Sequence, residues 1–278
     1  MEKRIAIILV LYNKSDVIID NYIEDDNQYL VIVDNTDGQN LNIREPNVVY
    51  VPLLKNCGIA AAQNIGIKEA IKAECDYIVF FDQDSCIPNH YCRNIVILYE
   101  EYISKNPKLF LLGPTIINKQ THKKYRRFLN KKTDIESFKP QREIISSGSC
   151  VKVSQISKVG MLCERLFIDY VDFEWCWRSN YLGFVSGVTG QIALEHEVGR
   201  KELLIGCYHT IVSAKVRYYY QVRNFLALSK KKYVPVKWKV AKLVRLFADT
   251  IIFLFKRDYR PNIKYVLMGI KDGFLFRV

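Results

Sequence analysis

The sequence has no apolar run that approaches the ~20 residues of a transmembrane helix, and its eight cysteines include no Cys-x-x-Cys pair. The basic first residues lead into an apolar run without a small-residue cleavage site, so a buried first strand is expected there rather than a signal peptide. Scattered cysteines without a secretory signal predict reduced thiols, a cytoplasmic protein and no zinc site.

Acidic residues are scarce in the C-terminal part of the 278-residue chain. Residues 215–278 carry 16 Lys or Arg and 3 Asp or Glu, a net charge of +13, whereas residues 1–214 carry 25 and 26, a net charge of −1. A neutral body with a basic tail predicts that the tail meets an anionic surface.

Short apolar runs alternate with helical patterns along the first half of the chain. This order predicts an α/β fold with a mostly parallel sheet and helices on its faces. The predicted strands are 4–12, 29–33, 48–51, 76–81 and 109–117, and the predicted helices are a short one after residue 16, an Ala-rich one to about 73 and one from 88 to about 104. Further along, the pattern predicts a polar loop or flap over 118–137, a strand with a Gly-centred irregularity over 143–151, a helix over 169–182, one or two strands over 184–195, and helices from about 207.

A buried strand runs into two acids at spacing i, i+2, Asp82 and Asp84. Open α/β sheets bind ligands beyond the carboxyl ends of their strands, and two carboxylates there are costly unless they hold a cation or bond a polar ligand. Hard oxygen ligands suit Mg²⁺ or Mn²⁺, which often share such a site with substrate phosphates. The alternative is an Asp/Ser turn without a ligand.

Other polar residues follow the neighbouring strands: Tyr12 and Asn13, Asp34 and Asn35, and Asn56 with Gly58. If the strands are parallel, all of these groups lie on one rim of the sheet. Carboxylates and amides there suit the base and ribose of a nucleotide, and a metal suits its diphosphate.

At this point the sequence resembles the inverting family 2 glycosyltransferases of the GT-A fold, which use nucleotide-sugar donors. The resemblance covers roughly residues 4–230, and some segments, such as Ser146-Ser147-Gly148-Ser149 and Tyr219-Tyr220-Gln221-Val222-Arg223-Asn224, look most like the bacterial rhamnosyltransferase branch. The motifs that carry it are Ile8-Leu9-Val10-Leu11-Tyr12-Asn13, Val31-Ile32-Val33-Asp34-Asn35, Asn56-x-Gly58-x-Ala60-x-Ala62-x-Asn64-x-Gly66, Phe81-Asp82-Gln83-Asp84-Ser85 and Asp172-Phe173-Glu174-Trp175-Cys176-Trp177-Arg178.

The resemblance implies a GT-A catalytic domain over 1–214, with a nucleotide-binding half to about 117 and an acceptor half over 118–214, followed by a basic helical region over 215–278. It assigns Asp82 to the ribose or the metal, and Asp84 to the metal on the diphosphate. The remaining nucleotide-sugar contacts that it implies are Tyr12, Asn13, Asp34, Asn56, Gly58 and Asn64.

The resemblance places the catalytic base at Asp172, which would take the proton of the acceptor hydroxyl. Val171 stands where many relatives have Glu, so the outer carboxylate of the family motif is absent. From the residues alone, the commoner interpretation of Asp172 is an acid at a helix N-terminus, and Glu174 is either an acceptor contact or the i, i+4 partner of Arg178.

Four further residues are candidates for the site. His196 follows a strand and completes the metal site in some relatives, although a lone His is usually structural. Ser147 and Gly148 are sugar or acceptor contacts, or simply a β-bulge. Arg223 meets a diphosphate or belongs to the basic tail.

The segment 236–256 has the apolar spacing of an amphipathic helix. Lysines and arginines fall mainly on the other side, which Leu246, Ile252 and Phe253 interrupt. Such a helix fits the anionic inner face of a membrane, and the alternative is a helix that packs on the body with solvated lysines. The apolar stripe consists of Val240, Leu243, Val244, Phe247, Ile251 and Leu254.

The sequence therefore predicts a glycosyltransferase that moves a sugar, L-rhamnose from dTDP-L-rhamnose, to a lipid-linked surface glycan at the cytoplasmic face of the inner membrane. A UDP-hexose or UDP-galactofuranose is the alternative donor. A nucleotidyltransferase is a weaker rival because the loop after the first strand has no glycine. A nucleic-acid-binding tail is the non-enzyme rival, but its lysines alternate with apolar stripes, so no nucleic-acid partner is expected.

Overall fold

The computed structural model describes residues 3–14, 17–118, 138–196, 202–205, 208–211 and 214–278. In its first half, strands and helices alternate, as the apolar pattern predicts. The strands are β1 (Ile5–Leu11), β2 (Gln28–Asp34), β3 (Val48–Pro52), β4 (Tyr77–Asp82) and β5 (Leu109–Asn118), and the helices are α1 (Ile59–Lys72) and α2 (Tyr91–Lys105).

The second half begins with short elements and ends in helices. Short 3-10 helices lie at Glu164–Leu166 and Arg257–Tyr259 in this half, and another lies at Ile19–Asn21 in the first half. The remaining elements are β6 (Lys139–Pro140), β7 (Cys150–Lys152), α3 (Val153–Val159), α4 (Val171–Tyr181), β8 (Val185–His196), β9 (Glu202–Ile205), β10 (Tyr208–Ile211), α5 (Lys215–Ser229), α6 (Val236–Phe255) and α7 (Asn262–Leu275).

Eight strands form one sheet in the order β3-β2-β1-β4-β7-β5-β8-β6. β1 runs parallel to β2 and β4, β2 to β3, and β5 to β8. The antiparallel neighbours are β7, between β4 and β5, and β6, at the edge. The predicted mostly parallel α/β sheet is thereby confirmed.

The sheet is covered on both faces, which explains why its strands are continuously apolar. In β1, Ala6, Ile8 and Val10 belong to one buried cluster with α1, whereas Ile5, Ile7, Leu9 and Leu11 belong to another with α2. The first cluster continues into the C-terminal helices, because Phe225, Trp238 and Phe253 lie in it. The predicted boundary at 214/215 marks a change of charge, and its role as a domain boundary stays a prediction.

α6 packs on the body through a face that the sequence analysis assigned to the polar side. Its buried residues are Trp238, Leu246, Asp249 and Phe253. The predicted apolar stripe faces outward instead. The helix therefore packs on the body, as the second alternative predicts, and binding of the exposed stripe to a membrane stays a prediction.

Three predicted elements differ from the structure. The strand predicted over 143–151 is limited to Cys150–Lys152, because the chain turns at Ser147 and Gly148, whose φ is +75°. Residues 208–211 pair as a strand with β9, so helices begin at Lys215 and not at 207. After residue 16 only the 3-10 turn Ile19–Asn21 forms.

The predicted flap at 119–137 lies outside the described residues. No helix in the described parts of the chain is long and apolar enough to cross a membrane.

Candidate active site

The carboxyl ends of β1, β2, β3 and β4 lie at one edge of the sheet. The register pairs Leu11 with Asp34, Val10 with Asp82, and Asp34 with Pro52. Tyr12, Asn35 and Asp82, although distant in sequence, are therefore brought to one rim, as the parallel arrangement predicts.

Asp34 is buried at this rim and has three donors around its carboxylate. Its Oδ1 accepts from the Thr36 backbone N–H at 3.1 Å, and its Oδ2 accepts from Gln39 Nε2 at 2.9 Å and from the Tyr50 hydroxyl at 2.7 Å. These bonds compensate the desolvation of the carboxylate. They also fix the loop that follows β2.

Asn35, Asn56 and Gly58 form a hydrogen-bonded turn that starts α1. The Asn56 Oδ1 accepts from Asn35 Nδ2 and from the Gly58 N–H, both at 3.0 Å, and Asn35 Oδ1 accepts from the Cys57 N–H at 2.7 Å. Gly58 has a φ of +87°, and a Cβ there would lie 2.6 Å from the ring and the carbonyl of Phe167. Glycine at this position thus lets Phe167 and its backbone approach the start of α1.

Gln83, between the two acids, ties β4 to the loop after β1. Its Oε1 accepts from the Tyr12 N–H at 2.8 Å, and its Nε2 donates to the Tyr12 carbonyl at 3.1 Å. Lys14 Nζ donates to the Gln83 carbonyl at 2.9 Å. The role of Gln83 was not predicted from the sequence, because its partner Tyr12 lies 71 positions away.

A cavity of about 310 Å³ joins the rim to the second half of the chain. It brings Asp82 together with Asp172, which are 90 positions apart in the sequence. Asp84 is exposed on the turn that follows β4. The cavity is lined by Ile59, Gln63, Asp82, Ser146, Asp169, Tyr170, Val171, Asp172, Phe173 and Arg217.

Asp172 stands in the first turn of α4, half-buried in the cavity wall. Desolvation by the surrounding protein raises the pKa of this carboxyl to about 7, and the charge of Asp82 acts in the same direction. Hydrogen bonds from the backbone N–H groups of Phe173 and Ser146 oppose this rise, the first at 2.9 Å to Oδ1. A carboxylate with a pKa close to neutrality is well matched to general-base chemistry.

Asp169 and Arg217 form an ion pair at the edge of the cavity. Arg217 Nη2 lies 2.5 Å from Asp169 Oδ1, and its Nε lies 3.2 Å from Oδ2. Neither role was predicted from the sequence, because the ion pair joins positions 48 apart and no local sequence pattern marks either residue. Ser146, one residue before the predicted Ser147, was missed as well.

Three predicted site residues do not line the cavity. Asn64 is buried and uses its amide on the backbone of Leu162 and on Glu164. Glu174 is buried and pairs with Arg178 at 2.8 Å, which is the i, i+4 alternative. Arg223 is buried and donates to the carbonyls of Arg165 and Leu166. None of the three lines the cavity, so the geometry gives no support to their predicted ligand contacts.

Ser147 and Gly148 lie in a tight turn beside β4. The Ser147 hydroxyl is 2.8 Å from that of Ser85, and the Gly148 N–H donates to the Phe80 carbonyl at 2.7 Å. A Cβ on Gly148 would lie 2.6 Å from the Tyr91 hydroxyl. The turn is therefore a packed support for the end of β4, and it matches the irregular backbone that the alternative predicted.

His196 ends β8. Glu195, one residue earlier, bridges with the backbone of Cys86, so the end of β8 passes close to the turn that carries Asp84. The side chain of His196 lies outside the described part of the structure.

Within the described residues there is no group of three or more His, Cys, Asp or Glu that could hold a metal ion. Asp82 and Asp84 offer oxygen donors at the rim. Such an incomplete protein ligand set fits Mg²⁺ or Mn²⁺, because these ions keep water molecules and take oxygens from substrate phosphates.

Comparison with known proteins gives a relative in sequence and several structural neighbours. The chain is 30% identical, over a 289-residue alignment, to the dTDP-rhamnosyl transferase RfbF of Shigella flexneri, and the match covers 98% of this chain and 96% of the relative. No model of a known protein family matches the sequence.

Solved structures show the same fold at low identity. S. aureus TarS matches 92% of this chain with a TM-score of 0.55 and 15% identity, and the match spans 44% of TarS, less than half of its length. The TarS fragment 1–349 matches 97% of this chain, again with a TM-score of 0.55. A structure of GalNAc-T7 with UDP, GalNAc and Mn²⁺ matches 85% with a TM-score of 0.51 and 12% identity.

Proposed function

The chain belongs to the family 2 glycosyltransferases of the GT-A fold, and we propose that it is an inverting rhamnosyltransferase that uses dTDP-L-rhamnose. The observation that carries this proposal is the cavity that is lined both by Asp82, from the sheet edge at the carboxyl end of β4, and by Asp172, from α4. The name of the relative, a dTDP-rhamnosyl transferase, supports the choice of donor. A UDP-linked hexose or galactofuranose is the alternative donor.

In the proposed reaction, Asp172 is the catalytic base. Its carboxylate takes the proton of the acceptor hydroxyl while the hydroxyl oxygen bonds to the anomeric carbon of the donor. The bond from that carbon to the diphosphate oxygen breaks on the opposite face, so the configuration inverts. The proton ends on Asp172, and the electron pair leaves with the nucleoside diphosphate.

The other predicted rim residues bind the donor in this proposal. Asp82 contacts the ribose side, and Asp84 and His196 are the residues that would hold the metal. The metal would supply positive charge against the diphosphate leaving group, which removes the need for a protein general acid. The nucleoside lies on the rim formed by Tyr12, Asn13, Asp34, Asn56 and Gly58.

The proposed acceptor is a lipid-linked surface glycan at the cytoplasmic face of the inner membrane. Two observations support this location. Residues 215–278 carry a net charge of +13, and α6 exposes an apolar stripe in which Phe247 is 67% accessible. A basic surface helix with an exposed apolar face is suited to an anionic bilayer interface.

The test is nucleotide release from a panel of nucleotide-sugars with a lipid-linked acceptor, with the wild type beside Asp84→Ala and Asp172→Asn. We expect turnover of dTDP-L-rhamnose by the wild type and a loss of about 10²-fold or more in both variants, as is common when a catalytic base or metal ligand is removed. Full activity in both variants would contradict the assignment of Asp84 and Asp172 to the site. Preferential turnover of a UDP-sugar would show that the donor is UDP-linked.

A further inference from the structure

The backbone immediately before Asp172 is in an unfavourable conformation. Phe167, Asp169 and Tyr170 have φ values of +67°, +66° and +66°. Non-glycine residues in this region cost on the order of 1–3 kcal/mol each and persist only where the surroundings hold them. Asp169 and Tyr170, at the end of the segment 166–170, line the cavity, and α4 begins at the next residue, so the conformation of this segment sets the position of Asp172.

α5 supplies most of the groups that hold this segment. Asn224 is fully buried, and its Nδ2 donates to the carbonyls of Leu166, Ile168 and Asp169 at 2.9, 2.8 and 3.2 Å. Arg223 adds bonds at 3.0 Å to the carbonyls of Arg165 and Leu166. Its guanidinium also donates to Asn224 Oδ1, which orients the amide.

Arg217, in the first turn of α5, makes the contact that reaches into the cavity. Its Nε and Nη2 bond both carboxylate oxygens of Asp169. The Asp169 side chain is 8% exposed, whereas that of Arg217 is 44% exposed. A planar fork of this kind fixes the direction of the carboxylate as well as its distance, which a lysine cannot do.

We infer that Arg217, Arg223 and Asn224 are positioning residues that hold the strained segment 166–170 so that Asp172 meets the acceptor hydroxyl. This inference rests on the proposed role of Asp172 as the base. It gives Arg223 a function other than the predicted diphosphate contact, because the guanidinium is used on backbone carbonyls and lies 4.1 Å from the ring centre of Phe276. None of the three residues is proposed to touch the reacting atoms.

Arg217 is the position at which to test this inference, because its side chain is half exposed and its removal leaves the buried Asn224 and Arg223 bonds in place. The variants are Arg217→Lys, which keeps the charge and loses the fork, and Arg217→Ala. Lys215→Ala, which removes an exposed cation from the same helix, is the matched control. Asp169→Asn removes the charge from the other side of the pair with little change in shape.

We expect kcat to fall by roughly 10²-fold in Arg217→Ala and by about tenfold in Arg217→Lys and Asp169→Asn, because small displacements of a catalytic group cost rates of this order. The KM for the nucleotide-sugar should stay within about twofold, since the change does not alter donor binding. Added guanidinium ion should restore part of the kcat of Arg217→Ala and none of that of Arg217→Lys. Lys215→Ala should match the wild type.

The inference fails if Arg217→Lys and Asp169→Asn keep the wild-type kcat, or if the variants lose donor affinity and kcat in parallel. Asp172→Asn, assayed alongside, separates this failure from failure of the proposed function. An inactive Asp172→Asn with fully active Arg217 variants overturns only the positioning role, whereas an active Asp172→Asn overturns the base itself.

Discussion

At the scale of single residues, the site depends on a carboxyl that is costly to keep charged. Asp172 has a pKa of about 7 because it is desolvated and faces Asp82. The unfolded chain has an ordinary Asp pKa of about 3.9. The folded state thus binds more protons between these values, and the stability of the protein falls as the pH rises from about 4 to about 7. Above pH 7 Asp172 is charged in the folded protein, and its full desolvation cost lowers the stability.

Replacing Asp172 by Asn removes this cost, so the variant should be more stable than the wild type at pH 8. Three pKa units correspond to about 4 kcal/mol, which is an upper value because the side chain keeps some contact with solvent. At pH 5 the gain should be smaller, on the order of 1 kcal/mol. Thermal unfolding in the presence of a chelator measures the difference.

Asp26→Asn, at an exposed position, controls for the loss of a carboxylate. A gain in stability that is equal at both pH values, or an Asn variant less stable than the wild type at pH 8, would contradict the desolvated environment of Asp172.

At the scale of elements, the start of α1 and the segment before α4 depend on each other through one glycine. Gly58 combines a φ of +87° with contact to Phe167, whereas Gly38 has a φ of +68° and open space, with no atom within 4 Å of the point where a Cβ would lie. The two positions therefore separate backbone strain from steric conflict.

Gly58→Ala should cost about 2–4 kcal/mol of unfolding free energy and lower kcat, because strain and overpacking add. Gly38→Ala should cost only about 1–2 kcal/mol, which is the effect of the left-handed conformation alone. Chemical denaturation of both variants gives the comparison. Equal losses would show that the approach of Phe167 does not limit this position.

Local pattern was enough to predict the parallel half of the sheet. Each strand is short, buried on both faces and followed by polar residues. A few consecutive residues therefore predict both the strand and the polar side chains at its carboxyl end. Asp82 was predicted for the same reason, whereas Asp172, in the first turn of a helix, was assigned as the base only through the family resemblance. Gln83, Asp169 and Arg217 could not be predicted, because their roles come from contacts between residues 48–71 positions apart.

α6 shows a different limit of local pattern. The helix has two apolar faces, and periodicity does not say which one the body covers. The face with Trp238, Leu246 and Phe253 is buried, although the sequence analysis treated two of these residues as interruptions of a polar side. The strands β9 and β10 were also missed, since four residues carry too little alternation to be recognised.

At the scale of the whole molecule, the outward stripe of α6 is expected to bind a membrane. Phe247→Ser should weaken binding to anionic vesicles by about tenfold, because an inserted aromatic side chain contributes roughly 1–2 kcal/mol. Ile97→Ser is the matched control, since Ile97 is an exposed apolar residue on α2 of the body. Vesicle sedimentation at low and high salt measures both the apolar and the charge contributions.

A wild-type protein that stays free of anionic vesicles at low salt would contradict membrane docking. A wild-type dimer in solution that Phe247→Ser converts to a monomer would instead show that a second copy covers the stripe.

The position of β4 in the sheet also determines which part of the site unfolds first, the end of β4 or the segment 166–170. β4 has hydrogen-bonded neighbours on both sides, β1 and β7, so the backbone amides behind Asp82 exchange with solvent only when the middle of the sheet opens. The segment 166–170 is held mainly by side chains of one helix, and such regions open at lower free energy than central strands. In mild denaturant the protein should therefore lose sugar transfer first, at a concentration where it still binds the nucleotide-sugar.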